Sequence, residues 1–472
     1  MEKLFLSDIA KMTGGVANGE AEITSVVIDN REVKPGSLFI AIKGERLNGH
    51  QFVKSAIEAG ASAVLVSEEV ESSVPVVKVE DTNKAFLDLA NGYRKTFDIP
   101  IVAITGSVGK TTTKEMICCV LNAKFNAHKT FTNWNNSIGV PKVLLGLSRD
   151  HTAAVVEMGM NHKGELSVLT RTVLPSMAVI TNIGVSHIEN LGSREGILAA
   201  KLEILEGMTD GSTLIVNADN DMLQKVTEAS LQNRFVIKRF GIKSDADVMA
   251  KDISYEADGT TFTAVVLPSR LDGLDGAGCE DVVPEEFKVR IPTTGEHNVY
   301  DALAAIAVGT ELEIENAKMA KALEGYIPAG MREKIEVIDN ITLIEDCYNA
   351  SPDSVRALAT TLKIKGEGGK RKIAVIADML ELGDYSEKAH RDCGKYLADA
   401  GVDMLLTYGK LAKFTAEEAR ENGILRVFEF DDKTELSKHL VSMLKEWDVV
   451  AFKGSRGMKL EDVIEYVKGE LI

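Results

Sequence analysis

The sequence predicts an α/β protein of three domains: a small mixed N-terminal α/β domain, a central P-loop-type parallel-sheet domain and a C-terminal Rossmann-like doubly wound domain. Three observations predict it. At 472 residues the chain exceeds what one hydrophobic core usually serves. From residue 101 onward, short and fully apolar runs alternate with longer helical stretches, as in a parallel sheet buried on both faces. Breaks near Pro100 and Pro328 divide the chain, placing the domains at 1–98, 99–327 and 328–472.

In the first domain, apolar runs predict strands at 24–28, 38–42, 63–66 and 74–79, with a turn at Pro35-Gly36 and helices at 51–59 and 83–95. The central domain is expected to carry strands at 101–105, 153–157, 177–181 and 213–217, with helices at 111–123 and 194–207. Residues 245–291 differ: an alternating stretch at 261–267, a Gly/Asp-rich turn at 272–278 and Phe287-Lys-Val-Arg-Ile read as an antiparallel appendage on the central domain. In the last domain, strands at 372–377, 404–408, 427–430 and 449–453 alternate with helices at 386–400, 411–422 and 433–447, a second doubly wound pattern.

Composition narrows the class. Apolar residues at 45% and charged residues at 26% are ordinary for a globular chain that folds throughout. The N-terminus lacks the residue succession of a signal peptide and no run of about 18 apolar residues occurs, so a cytoplasmic protein without membrane insertion is expected. Five scattered cysteines, Cys118, Cys119, Cys279, Cys347 and Cys393, lack CxxC spacing and indicate neither a disulfide framework nor zinc. A net charge of −17 argues against nucleic acid as a partner, because that affinity rests on lysine and arginine neutralising phosphates.

The strongest chemical signal is Gly106-Ser107-Val108-Gly109-Lys110-Thr111-Thr112, between a buried strand and a helix. In that context backbone N–H groups and a lysine cradle a polyphosphate, Lys110 reaches the β- and γ-phosphates and the Thr111 hydroxyl ligates Mg²⁺. The loop is shorter than GxxxxGK[ST], since Ile104 stands at the first glycine position. Two more strand ends carry polar groups where a parallel sheet places its ligands. Glu157 closes an apolar strand and is either a Mg²⁺ ligand or a solvated strand-end carboxylate. His187, in a glycine-bearing loop, suits a metal or substrate role. Lys201, taken on its local sequence, reads as an exposed helix lysine paired with a neighbouring acid.

Several motifs in order along the whole chain resemble the Mur ligases, which build the cytoplasmic precursor of peptidoglycan. They are Thr105-Gly-Ser-Val-Gly-Lys-Thr-Thr, Glu157-Met-Gly, Asn182-Ile-Gly-Val-Ser-His, Ala200-Lys-Leu-Glu, Glu296-His-Asn-Val, Gly330-Met-Arg and Asp346-Cys-Tyr-Asn-Ala-Ser-Pro. The last of these, the stretch Thr132-Asn-Trp-Asn-Asn-Ser-Ile-Gly-Val-Pro, Lys453-Gly-Ser-Arg-Gly-Met and the absence of DNPR resemble the family branch whose substrates are UDP-N-acetylmuramoyl-tripeptide and D-alanyl-D-alanine.

That resemblance implies an ATP-dependent amide ligase working through an acyl phosphate, with ATP and two Mg²⁺ ions. Lys110, Thr111 and Glu157 would serve ATP and the first ion. His187 and an N-carboxylated Lys201 would serve the second. Asn298 would contact adenine, and Arg332 and Asp346 would approach the nucleotide from the third domain. Thr132, Asn133, Asn135, Asn136 and Asn349 would line the substrate path, with Lys453, Ser455 and Arg456 toward the dipeptide or a phosphate. Asp29 and Arg31, in a stretch similar to the family's DSRxVxPGxLFVAxxG, would hold the uridine diphosphate end, unless they only fix a turn by a local salt bridge. Two departures stand out: Met331 interrupts the usual GRxE, and Ser351 replaces a common Asn. The chain is expected to act as a monomer. The rival expectations are an amide ligase adding a single amino acid and an ATPase without ligation.

Overall fold

The computed structural model describes residues 1–256, 258–267, 283–328, 330 and 332–471. The Gly/Asp-rich turn at 272–278, Cys279, Ala329 of the expected linker and Met331 lie outside the described residues.

Three sheets organise the molecule, besides a small two-stranded one at the N-terminus. The first has five strands, ordered Val16–Ala17, Val76–Lys78, Ala63–Val66, Ser37–Ile40 and Ser25–Val27; all but the first edge pair are parallel. The helix Thr82–Arg94 packs it against the central domain. Asp81 caps that helix by accepting from Asn83 and Lys84 N–H, and Tyr93 donates its hydroxyl to Leu147 O at 2.7 Å.

The central sheet has nine strands. Ala127–Lys129, Ala153–Glu157, Ile101–Thr105, Met177–Ile180, Thr213–Asn217, Val236–Gly241 and Val248–Glu256 run parallel in that spatial order. Gly259–Val266 and Glu285–Ile291 continue it antiparallel. The expected appendage is therefore an extension of the main sheet, because its alternating strands leave their ladder groups free to pair with the edge strand. The helices Lys110–Leu121 and Glu296–Glu311 lie together over one face. The second of these is buried nearly all round, from Val299 to Val308, which explains its lack of a readable amphipathic period.

The third sheet is ordered Lys334–Ile338, Ile341–Glu345, Val449–Lys453, Lys372–Ala377, Met404–Tyr408 and Val427–Phe430, with an antiparallel hairpin at one edge and parallel strands elsewhere. All four expected strands of this domain fall in place. The helix expected at 433–447 ends at Met443, where Leu444 turns to extended backbone. The helix expected at 194–207 is α-helical only over Arg194–Leu202 and tightens to a 3₁₀ turn over Glu203–Gly207. Among the described residues no helix is long and apolar enough to cross a membrane.

Candidate active site

Strand register builds the site. Glu157 pairs level with Ile104, and Ile180 with Thr105. The phosphate loop, Glu157 and the loop 181–187 therefore leave the sheet at the same C-terminal edge, where parallel sheets bind ligands. Gly106 and Gly109 are required by geometry. A Cβ on Gly106 would sit 1.8 Å from Thr181 Oγ1, and Gly109 has φ 82 as it caps the helix Lys110–Leu121.

Part of the loop is already engaged. Asn182 Oδ1 accepts from Ser107 N–H at 3.1 Å and Val108 N–H at 3.0 Å. The loop's free donors are thus concentrated at the first turn of the helix, from Lys110 to Thr112, where the helix dipole favours an anion. Lys110 donates to Gly106 O at 2.9 Å. Burial holds its pKa below the usual lysine range, Glu157 offsets part of that and Arg332 adds to it. Sequence reasoning overlooked Asn182 as a contact, although it stands in a motif directly after the apolar strand.

Glu157 is fully buried, which excludes a solvated strand-end carboxylate. Thr111 Oγ1 donates to its Oε2 at 2.8 Å, and Asn135 Nδ2 to its Oε1 at 2.9 Å. Lys114 Nζ stands 3.9 Å away while donating to Thr130 O at 2.8 Å. One helix thus joins the phosphate loop, the carboxylate and the strand preceding Thr132.

Lys201 corrects the local reading. It is only 2% exposed, on the same helix face as Ile197 and Ala200, and the neighbouring Glu203 is turned away to accept from Gly164 N–H at 2.8 Å. Three- and four-residue spacing from Ile197 puts the lysine on the core-facing stripe. Burial pushes its pKa well below the lysine range, and the charge of Lys110 pushes it further. No hydrogen bond or ion pair reaches its ammonium group among the described residues. His187, at φ 62, lies 2.7 Å through Nδ1 from Glu381 Oε2 of the C-terminal domain. Burial lowers its pKa too, with Glu381 opposing.

The remaining predicted residues fall in separate places. Asn298 is buried and gives its amide to Glu333 Oε2 at 2.8 Å and Thr294 O at 3.3 Å. Arg332 stacks over the Tyr348 ring at 4.3 Å. Asp346 pairs with buried Lys453 at 2.6 Å, so that lysine is committed to a carboxylate. Ser455 Oγ accepts from Leu380 N–H, Arg456 pairs with Glu461, and Asn349 Oδ1 accepts from Ala350 N–H. Asn136 Oδ1 accepts from Ile138 and Gly139 N–H, while Thr132 and Asn133 are exposed. Asp29 and Arg31 do form the local salt bridge, through both carboxylate oxygens, with Arg31 holding the Asp29 carboxyl down at about 2. Among the described residues no group of three or more His, Cys, Asp and Glu side chains gathers as a metal site.

Family models coincide with these three units. The Mur ligase family catalytic domain matches residues 22–94, the Mur ligase middle domain 104–309 and the Mur ligase glutamate ligase domain 332–456. A UDP-N-acetylmuramoyl-tripeptide--D-alanyl-D-alanine ligase of Bacillus subtilis is 39% identical, over 98% of each chain. The chain belongs to the Mur ligase family. Among solved Mur ligases, MurF from Acinetobacter baumannii is 30% identical with a TM-score of 0.89, covering 99% of each chain. MurF from Thermotoga maritima, solved in complex with ADP, is 26% identical with a TM-score of 0.81, over 95% of this chain and 97% of that one. The three-domain Mur ligase fold is thus common to all of them.

Proposed function

We propose that this Mur ligase joins D-alanyl-D-alanine to UDP-N-acetylmuramoyl-tripeptide at the expense of ATP, releasing ADP and phosphate. The observation that carries this reading is the convergence of Lys110, Thr111, Glu157, His187 and Lys201 at one sheet edge facing the C-terminal domain. The full-length likeness to ligases of that name supports the substrate pair.

A carboxylate does not acylate an amine at neutral pH, because its oxygen is a poor leaving group. The tripeptide carboxylate therefore attacks the γ-phosphorus of ATP, ADP departs, and the amine, after its ammonium form loses one proton, displaces phosphate from the acyl phosphate and sheds a second proton as the amide forms. The helix start and Lys110 hold the phosphates. Asn298, Arg332 and Asp346 flank the nucleotide, and the Thr132–Asn136 loop guides the peptide, positioned by the Asn135–Glu157 bond. Residues 1–98 take the uridine diphosphate end at Asp29 and Arg31, 99–327 take ATP, and 328–472 deliver the amine.

The donor set fits Mg²⁺. The Thr111 hydroxyl and Glu157 carboxylate are hard oxygen ligands, few in number as suits an ion that shares phosphate oxygens. At the second position, His187 is joined by Lys201, whose buried amine, its pKa held well below the lysine range, would add to CO₂ and release a proton to become a carbamate. When bound, the two ions supply charge neutralisation on the phosphoryl oxygens. The C-terminal domain closes over this edge and keeps water from the acyl phosphate. The enzyme works as a monomer in the cytoplasm.

Phosphate release measured with ATP and the UDP-tripeptide tests the reading. It should depend on D-alanyl-D-alanine; dependence on a single amino acid, or turnover with neither substrate, sinks it.

A further inference from the structure

Glu381 belongs to no motif picked out in the sequence, yet it is where the C-terminal domain touches the His187 loop. It lies just beyond the strand Lys372–Ala377, with φ 65, a left-handed conformation that a glutamate keeps only when its surroundings enforce it. Those surroundings are explicit. Asp378 Oδ1 accepts from Leu411 N–H at 2.9 Å and Ala412 N–H at 2.7 Å, and Met379 N–H donates to His390 Nε2 at 3.0 Å. Leu380 N–H donates to Ser455 Oγ at 2.9 Å, and Met379 and Leu382 are buried on either side. Two residues on, a Cβ at Gly383 would meet Glu189 at 3.2 Å, so this loop seats directly against the helix Ile188–Leu191.

The side chain so presented is still 58% exposed. One oxygen faces His187, and a carboxylate has about four lone-pair sites, so acceptors remain for another donor. Across His187 stands Lys110, whose charge opposes that of Glu381 there. An α-amino group, with an ordinary pKa of about 8, arrives mostly as an ammonium ion, which a carboxylate with a free oxygen attracts.

We propose that Glu381 binds the ammonium group of the incoming dipeptide, holding its nitrogen beside the His187 edge where the acyl phosphate forms. The proposal rests on the ligase reading above and names the group on the C-terminal domain that recognises the amine. Ser455, whose Oγ accepts from Leu380 N–H, holds the loop that presents Glu381.

The test is Glu381→Gln in the full-length enzyme, assayed by phosphate release with D-alanyl-D-alanine varied and with propanoyl-D-alanine, the same dipeptide without its ammonium group, added as a competitor. The KM for D-alanyl-D-alanine should rise about tenfold or more, the loss expected for one charge-assisted hydrogen bond. The KM for ATP and the Ki of propanoyl-D-alanine should each stay within about twofold, since neither uses the carboxylate. Glu381→Asp should recover part of the loss. An unchanged dipeptide KM, or a Ki that rises in parallel with it, overturns the proposal while the wild-type dipeptide dependence leaves the ligase reading intact. A wild-type enzyme indifferent to the dipeptide overturns both.

Discussion

Thr113, on the helix that follows the phosphate loop, donates its hydroxyl to Asp301 Oδ1 at 2.5 Å, and the same oxygen would lie 2.9 Å from a Cβ on Gly109. A buried carboxyl thus backs the loop from the neighbouring helix Glu296–Glu311. Burial raises its pKa to about 7; Thr113 and His297 pull it down, Glu333 raises it and Arg332 lowers it. Between 3.8 and about 7 the folded chain holds a proton that the unfolded chain has lost. Stability from this group is therefore complete below 3.8 and disappears as pH rises through about 7. Asp301→Asn removes the slope. Its melting temperature relative to wild type should climb from pH 5 to pH 8, with a ceiling of about 3 kcal/mol, from about 1.4 kcal/mol per pH unit between pH 5 and about 7. Parallel melting curves at both pH values would refute this.

The Thr111–Glu157 contact predicts a separation of activity from stability. Glu157→Gln keeps one amide oxygen to accept from Asn135 and turns its N–H to the Thr111 hydroxyl, which can accept it, so thermal melts should move by only a few degrees. Loss of the charge that would hold Mg²⁺ should lower kcat at least about 100-fold. Steady-state rates over a Mg²⁺ series check it, and a variant with near-normal turnover would remove Glu157 from the proposed site.

Lys201 carries the sharpest chemical expectation. Enzyme equilibrated with ¹³C-bicarbonate should show a carbamate carbon resonance that vanishes in Lys201→Ala. That variant should lose activity at least about 100-fold, and a short carboxylic acid should restore part of it. Unlabelled protein with full activity would rule the carbamate out.

Glu333 ties the central and C-terminal domains together, accepting from Asn298 Nδ2 at 2.8 Å and from Thr361 Oγ1 at 2.6 Å. Its side chain is largely buried and its backbone stands at φ 52. Glu333→Ala leaves both donors with their longer contacts to Thr294 O, each 3.3 Å, at a cost of about 1–3 kcal/mol in all. Urea unfolding should show that loss, and scattering should show a larger radius of gyration as the domains part. Unchanged values in both would show that the contact holds nothing together.

Much of the fold was legible because burial on both faces leaves a simple mark. Ile101–Thr105, Ala153–Glu157 and Met404–Tyr408 are runs of apolar residues that fit no other role. The hairpin Lys334–Ile338 and Ile341–Glu345 was missed because its first strand is largely exposed and carries charges at Lys334 and Glu336. The helix Glu296–Glu311 was missed for the opposite reason, having no polar face from which to read a period.

By itself, the sequence determined the phosphate loop, the positions along the chain of the strands around it and the family motifs, because each of these depends on residues adjacent in the chain. Only the tertiary structure decided that Lys201 is buried, that Asn182 occupies two loop amides, that Lys453 belongs to Asp346 and that Glu381 meets His187. These are distances between segments far apart in sequence. Whether a lysine is solvated or stripped of water depends on what packs over it, and no local pattern records that.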